Sequence, residues 1–355
     1  MAETHFKRVR RHSRIAAIWL IGAFIASQLV LAVVIDQRSL AVRDPEYVLL
    51  QNMLRDRIAE HPGEPVGLFL GSSRVAHGFD AARARGVSDA VVFNFGIPGS
   101  GPYFQTVILD RLAVAGIRPD VVFLEVIHPF YNAAGPRSLD HSLLDGARLS
   151  AGEAAGLLDY GDRRQTGPLR RWALARAVPI RRHRAELRDA LRLDIYKPGE
   201  GPPPPFHPID SFGYRPREIS CPKRGELIEL AHRQYDPYFA SFRLDPAPWG
   251  RLLLGIDKAR AIGADVVIVV MPEGTEFRRL YSTETLGGVA EMIRRLRDDT
   301  GVTVVDARNW VDDAGFYDHH HLRPSGAGTF ADRFHSDALV PSLERRTRRL
   351  AAAGN

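Results

Sequence analysis

Five short apolar runs limit what this chain can fold into more than any other feature. They are Val66–Leu70 (VGLFL), Ala90–Phe95 (AVVFNF), Val121–Ile127 (VVFLEVI), Asp265–Met271 (DVVIVVM) and Val302–Asp306 (VTVVD). Each is rich in β-branched and aromatic residues. Continuous apolar runs of this length suit strands buried on both faces of a parallel sheet. Helical patterns at Tyr103–Gly116, Trp249–Ile262 and Glu284–Thr300 fall between them, and another is expected from Asp44 to Glu60. Strands alternating with helices predict an α/β fold: a parallel five-stranded sheet with helices on both faces. The rhythm breaks between the third and fourth runs. There an insertion, 132–248, contains Arg163, Arg164, Arg170, Arg171, Arg181, Arg182 and Arg184, together with Pro202–Pro205. It reads as a mostly helical cap with one extended proline-rich loop. Its arginines are either a solvated face or a grip on an anionic glycan or lipid headgroup.

The N-terminus carries a second constraint. Ile15–Ile35 (IAAIWLIGAFIASQLVLAVVI) is free of charge, and Asp36 and Arg38 end it. At about 1.5 Å per residue such a helix spans about 30 Å, the thickness of a bilayer's hydrocarbon core. Lys7, Arg8, Arg10, Arg11 and Arg14 precede it against the single acid Glu3. Basic flanks stay in the cytoplasm, so the expected topology is N-terminus in, with the rest of the chain outside. The rival reading is a cleaved signal peptide, whose apolar core usually runs about 7–15 residues. The expected layout is a basic cytoplasmic tail at 1–14, a transmembrane anchor at 15–35, and a membrane-proximal helix and linker at 36–63. The α/β domain follows at 64–340, then a basic C-terminal tail at 341–355.

Charge arithmetic removes one class of partner. The net charge is +6. Most of it sits in the first 14 residues, so the high isoelectric point does not mark a nucleic-acid binder. Cys221 is the sole cysteine. This excludes an intramolecular disulfide framework and a four-cysteine zinc site. Nothing around Cys221 marks an activated thiol, and it reads as a small structural hydrophobe.

Three segments follow predicted strands, where sites form in open α/β sheets. Gly71-Ser72-Ser73-Arg74 follows the first run, and its small turn would expose a side chain and free N–H groups at a helix start. Asn94-Phe95-Gly96-Ile97-Pro98-Gly99-Ser100-Gly101 follows the second, with glycines that allow close backbone approach. Asp318-His319-His320-His321-Leu322-Arg323-Pro324 lies near the C-terminus, before a helical stretch at Ser325–Leu339. Ser72 rather than Ser73 could be the exposed serine. Arg74 could pair with a local carboxylate or border the pocket. The three histidines suggest zinc, alone or with His128 or His141, although neighbours along an extended stretch point different ways.

In order and placement these segments resemble the SGNH (GDSL-like) hydrolase superfamily, over 64–130 and 264–340. Gly71-Ser72-Ser73 stands where that family has Gly-Asp-Ser, which implies Ser73 as nucleophile. Asn94-Phe95-Gly96 matches the second block, implying that the Gly96 N–H joins an oxyanion hole. Asp318-x-x-His321 matches the last block, implying His321 as base and Asp318 as its orienting acid. The third block, Gly-x-Asn-Asp, is replaced by Glu125-Val126-Ile127-His128-Pro129, with His128 at the Asn position. The Met271-Pro272-Glu273 segment is similar to the membrane-anchored branch that serves envelope polysaccharide O-acetylation and teichoic-acid D-alanylation.

The resemblance implies a three-layer flavodoxin-like fold and a serine esterase or O-acyltransferase needing no cofactor or metal. Its site would comprise Ser73, Asp318 and His321, with Gly96, Asn94, His128 and Arg74 around the oxyanion and substrate. The partners implied are the bilayer, an envelope polysaccharide or lipid substrate and a multi-spanning membrane acyltransferase, with no nucleic acid. The location implied is the inner or plasma membrane, with the catalytic domain outside the cytoplasm. An accessory module that only holds glycan, or a metal hydrolase built on the histidines, remain the alternatives.

Overall fold

The computed structural model describes residues 2–86, 88–136, 138–159, 167–191, 208–219 and 221–353. Arg163, Arg164 and Pro202–Pro205 lie outside the described residues, as do the side chains of Glu3, Lys7, Arg8, Arg10 and Cys221. The described chain forms two compact units. One comprises 2–48, 145–159 and 167–191; the other comprises 49–144, 208–219 and 221–353. The insertion expected at 132–248 is thus divided between them.

The first unit is built on one continuous helix, Ala2–Arg38. Its segment Arg11–Arg38 is the one helix among the described residues long and apolar enough to cross a membrane. Most of its apolar side chains are exposed, Trp19 at 73% and Leu20 at 71%. This is consistent with a single-pass anchor or a signal sequence. The helix is held at its C-terminal end by charge. Arg43 donates to the carbonyls of Ile35 and Asp36, and Asp36 accepts from Arg176 at 3.0 Å.

The second unit holds the sheet. Its strands are β1 (Val66–Gly71), β2 (Val91–Gly96), β3 (Val121–Glu125), β4 (Asp265–Val270) and β5 (Thr303–Asp306). They are all parallel, in the order β2-β1-β3-β4-β5. Each coincides with one of the five apolar runs. This is the doubly wound order whose topological switch point, the crevice where ligands bind, lies between β1 and β3. The crossover helices Pro102–Val114, Pro246–Ala261 and Thr283–Thr300 stand where helical periodicity was read. The segment expected as a basic C-terminal tail continues as the helix Val340–Ala353.

The chain after β5 must travel back over the sheet to reach the switch point, and aromatic packing makes it do so. The helix Pro324–Phe334 lays Phe334 over the middle strands: its ring centroid is 5.4 Å from Phe69 on β1 and 4.7 Å from Phe123 on β3. Phe79 and Phe330 complete the cluster, and none of these rings has exposed surface. Burying each phenylalanine contributes roughly 1.5–3 kcal/mol, so this helix is strongly placed. The Asp318–His321 loop lies just ahead of it in the chain.

Candidate functional site

β1 ends at Gly71, and the chain turns into the short helix Ser73–Gly78. A Cβ at Gly71 would lie 2.3 Å from Val75 Cγ2 and 2.7 Å from Glu125 Oε2, so only glycine fits this turn. Ser72 is the N-cap, its hydroxyl accepting the Arg74 N–H at 3.2 Å. Its own N–H donates to Glu125 Oε2 at 2.6 Å. Ser72 is therefore spent on structure. Ser73 occupies the first helical position, where an N–H has no carbonyl one turn back. Its side chain is partly exposed, and Ser73 Oγ lies 2.8 Å from His321 Nε2.

The Asp318–His321 loop is a self-capped turn. Asp318 Oδ1 accepts the N–H groups of His320 (2.8 Å) and His321 (2.7 Å), and Asp318 Oδ2 meets His321 Nδ1 at 2.7 Å. A carboxylate only accepts, so the His321 proton sits on Nδ1 and the Nε2 lone pair faces Ser73. Tyr317 stacks on the His321 ring at 5.4 Å and 7°. Burial alone would raise the Asp318 carboxyl. The neighbouring His321 and His320, through the His321 ring and the two backbone N–H groups, prevail and hold it well below the usual carboxylate range.

The three consecutive histidines point three ways. His319 meets His232 edge-on at 4.9 Å, His320 stacks on Phe277 at 5.1 Å, and His321 reaches Ser73. Ligand atoms of Asp318, His320 and His321 lie within 4.8 Å of one another. Both His321 nitrogens are engaged, however, so an ion there would have to displace Ser73 or Asp318.

The remaining expected site residues are differently employed. Gly96 N–H donates to Asn94 Oδ1 at 2.8 Å. It is therefore already engaged, where the resemblance implied an oxyanion donor. Asn94 Nδ2 donates to the Val75 and Phe79 carbonyls at 2.8 and 2.7 Å. A Cβ at Gly96 would meet Ala76 N at 2.3 Å. Asn94 and Gly96 together hold the Ser73–Gly78 helix against β2. Arg74 is buried, donating to the Met271 and Pro272 carbonyls at 3.0 and 2.8 Å. It lies 3.8 Å from Glu125 and 3.7 Å from Glu273, which makes it a local ion-pair residue. His128 hydrogen-bonds the Tyr281 hydroxyl at 3.0 Å, and that hydroxyl donates to Glu273 at 2.9 Å. Burial and then the Arg74 charge push His128 well below the ordinary imidazole range. Glu125, Glu273, Tyr281 and Tyr317 were not singled out as functional in the sequence. A signal existed for two of them, since Glu125 is a lone carboxylate inside the apolar run Val121–Ile127 and Glu273 follows the run ending at Met271.

A cavity of about 190 Å³ opens before the serine. Its walls include Ser72, Ser73, Gly99, Phe130, Leu143, Asp318, His320 and His321. The helix Cys221–Tyr235 adds Leu227, Leu230, Ala231, Gln234 and Tyr235. Asn94, Gly96, Arg74 and His128 are not among them.

Buried neutral histidines make this unit acid-sensitive. Burial, and then the nearby His321, lower His77 to about 3, against 6.5 in the unfolded chain. His320 is lowered for the same two reasons, and His128 as above. Between those values the unfolded state binds protons that the folded state refuses, so stability falls as pH drops below 6.5. For His77 alone the loss at pH 5 is about 2 kcal/mol. Thermal melts should give a lower midpoint at pH 5 than at pH 7.5; an equal or higher midpoint at pH 5 would refute this.

No protein-family model matches this chain, and no curated protein matches it. Solved structures do match. One, from Streptococcus pneumonia and provisionally described as a platelet activating factor, is 12% identical, with a TM-score of 0.30 over 90% of this chain and 97% of its own. At that score it carries no argument about chemistry.

Proposed function

We propose that this protein is a membrane-anchored serine esterase or acyltransferase of the SGNH type, acting outside the cytoplasm on acyl esters of envelope glycans or lipids. One observation carries the reading: Ser73 Oγ, His321 and Asp318 form an unbroken hydrogen-bonded chain, with 2.8 Å and 2.7 Å links, at the mouth of a cavity. A serine hydroxyl is a weak nucleophile until a base takes its proton. His321 Nε2 takes the proton as Ser73 Oγ attacks the ester carbonyl. Asp318 stabilises the imidazolium that forms. The tetrahedral oxyanion collapses, the leaving alcohol departs with the proton from His321, and the acyl group stays on Ser73. A sugar hydroxyl or water then takes the acyl group by the reverse steps.

The engagement of the Gly96 N–H by Asn94 favours a second reading. With few oxyanion donors, the fold would hold an acylated glycan for a multi-spanning acyltransferase and turn over weakly. Each lost donor costs about 10²–10³ in rate. A fluorophosphonate probe separates the two. The first reading expects stoichiometric labelling of the full-length protein on Ser73 near neutral pH. An unlabelled protein sinks it and leaves the second. Asp318→Asn should cut labelling and ester turnover well over tenfold, because His321 loses the partner that sets its tautomer.

A further inference from the structure

Within the N-terminal unit the apolar helix has company. The helices Gly167–Ala177 and Pro179–Arg182 pack against it. The contact has a definite depth. Gln28, itself buried, accepts the Ile180 N–H at 3.3 Å, and Asp36 holds Arg176. Gln28 lies seven residues inside Ile35, about 10 Å along a helix. The backbone at Ile180 therefore sits about 10 Å inside the end of the apolar span. Around it Leu174 (58%), Val178 (37%) and Ile180 (49%) are exposed, beside the exposed apolar side chains of the long helix.

A separate observation is the charge beside them. Residues 167–191 hold seven arginines, one glutamate, one aspartate and no lysine. Arg170, Arg171, Arg181, Arg182 and Arg184 are exposed, and Arg182 also meets Asp145 at 2.6 Å. Interfacial segments of this character bury their apolar side about 5–10 Å into the headgroup–acyl boundary. That depth agrees with the level set by Gln28. Arginine forks match phosphate oxygens in pairs.

We infer that residues 167–191 form an interfacial collar around the anchor, in the leaflet facing away from the basic tail. Leu174, Val178 and Ile180 enter the acyl region, and the arginines beside them hold anionic phospholipid phosphates. This rests on the proposed reading of Ile15–Ile35 as a retained anchor.

The test uses the full-length protein carrying Cys221→Ser, reconstituted in phosphatidylcholine vesicles with and without phosphatidylglycerol. A polarity-sensitive dye is attached to Ile180→Cys or, separately, to Trp19→Cys, and quenched with doxyl-labelled lipid. Both sites should be quenched about twofold or more above the dye's glutathione adduct, as expected for labels in the acyl region. Quenching at Trp19→Cys with none at Ile180→Cys overturns the collar alone. No quenching at Trp19→Cys overturns the anchor and the collar together. Phosphatidylglycerol should deepen quenching at Ile180→Cys, and Arg181→Glu with Arg184→Glu should remove that gain. Equal quenching in both lipids overturns the preference for anionic phospholipid.

Discussion

Replacing Ser73 by alanine is expected to bring hydrolysis of a short-chain chromogenic ester down by about 10⁴-fold or more. The change removes the serine oxygen that meets His321 Nε2 and takes away a small, partly exposed hydroxyl. The thermal midpoint should therefore stay nearly unchanged, since such surface substitutions usually fall within about 0.5 kcal/mol. His321→Ala should cost as much, and the double variant no more than either single one, because the pair acts as a unit. Activity above a tenth of the parent in Ser73→Ala would end the serine mechanism. If that activity vanished in His319→Ala instead, the chemistry would move to the histidine cluster.

Asn94→Ala should produce the largest loss of stability among the site residues. Asn94 has no exposed surface, and its amide carries three short hydrogen bonds: to the Val75 carbonyl, to the Phe79 carbonyl and from the Gly96 N–H. Alanine leaves the Phe79 carbonyl and the Gly96 N–H buried without these partners, whereas the Val75 carbonyl keeps the Phe79 N–H at 3.0 Å. Each costs about 1–3 kcal/mol, which suggests a total of about 4 kcal/mol. For a unit of this size the midpoint should drop by about 10 °C. The helix Ser73–Gly78 would lose its tie to β2, so turnover should fall along with the fraction folded. An unchanged midpoint with a large fall in kcat would instead return Asn94 and Gly96 to the oxyanion.

The neighbouring arginine teaches the same lesson about proximity. Arg74 adjoins the serine in sequence, which made it a candidate for the substrate pocket. Its guanidinium turns inward, between Glu125 and Glu273 and onto the carbonyls of Met271 and Pro272. These groups come from the ends of β3 and β4, so nothing local to Arg74 announces them. The Met271-Pro272-Glu273 segment thereby has a structural use, as the acceptor of Arg74 and of the Tyr281 hydroxyl.

Local chemistry by itself determined the strands, the crossover helices and the apolar N-terminal helix. Burial on both faces demands continuous apolar runs, and those runs can be read one residue after another. The same holds for the Asp318 turn, because an aspartate that accepts the N–H groups two and three residues ahead needs nothing from the rest of the chain. What only the tertiary structure decided is which groups face one another across long separations. Ser73 and His321 are 248 residues apart and meet because Phe334 packs over β1 and β3 after the final strand. The roles of Gly96 and His128 were decided in the same way. A backbone N–H or an imidazole bonds whichever acceptor the fold brings nearest, and here those were Asn94 and Tyr281. Hydrogen bonding is short-ranged and directional, so a role that depends on a distant partner is set by packing and leaves no mark in the neighbouring residues.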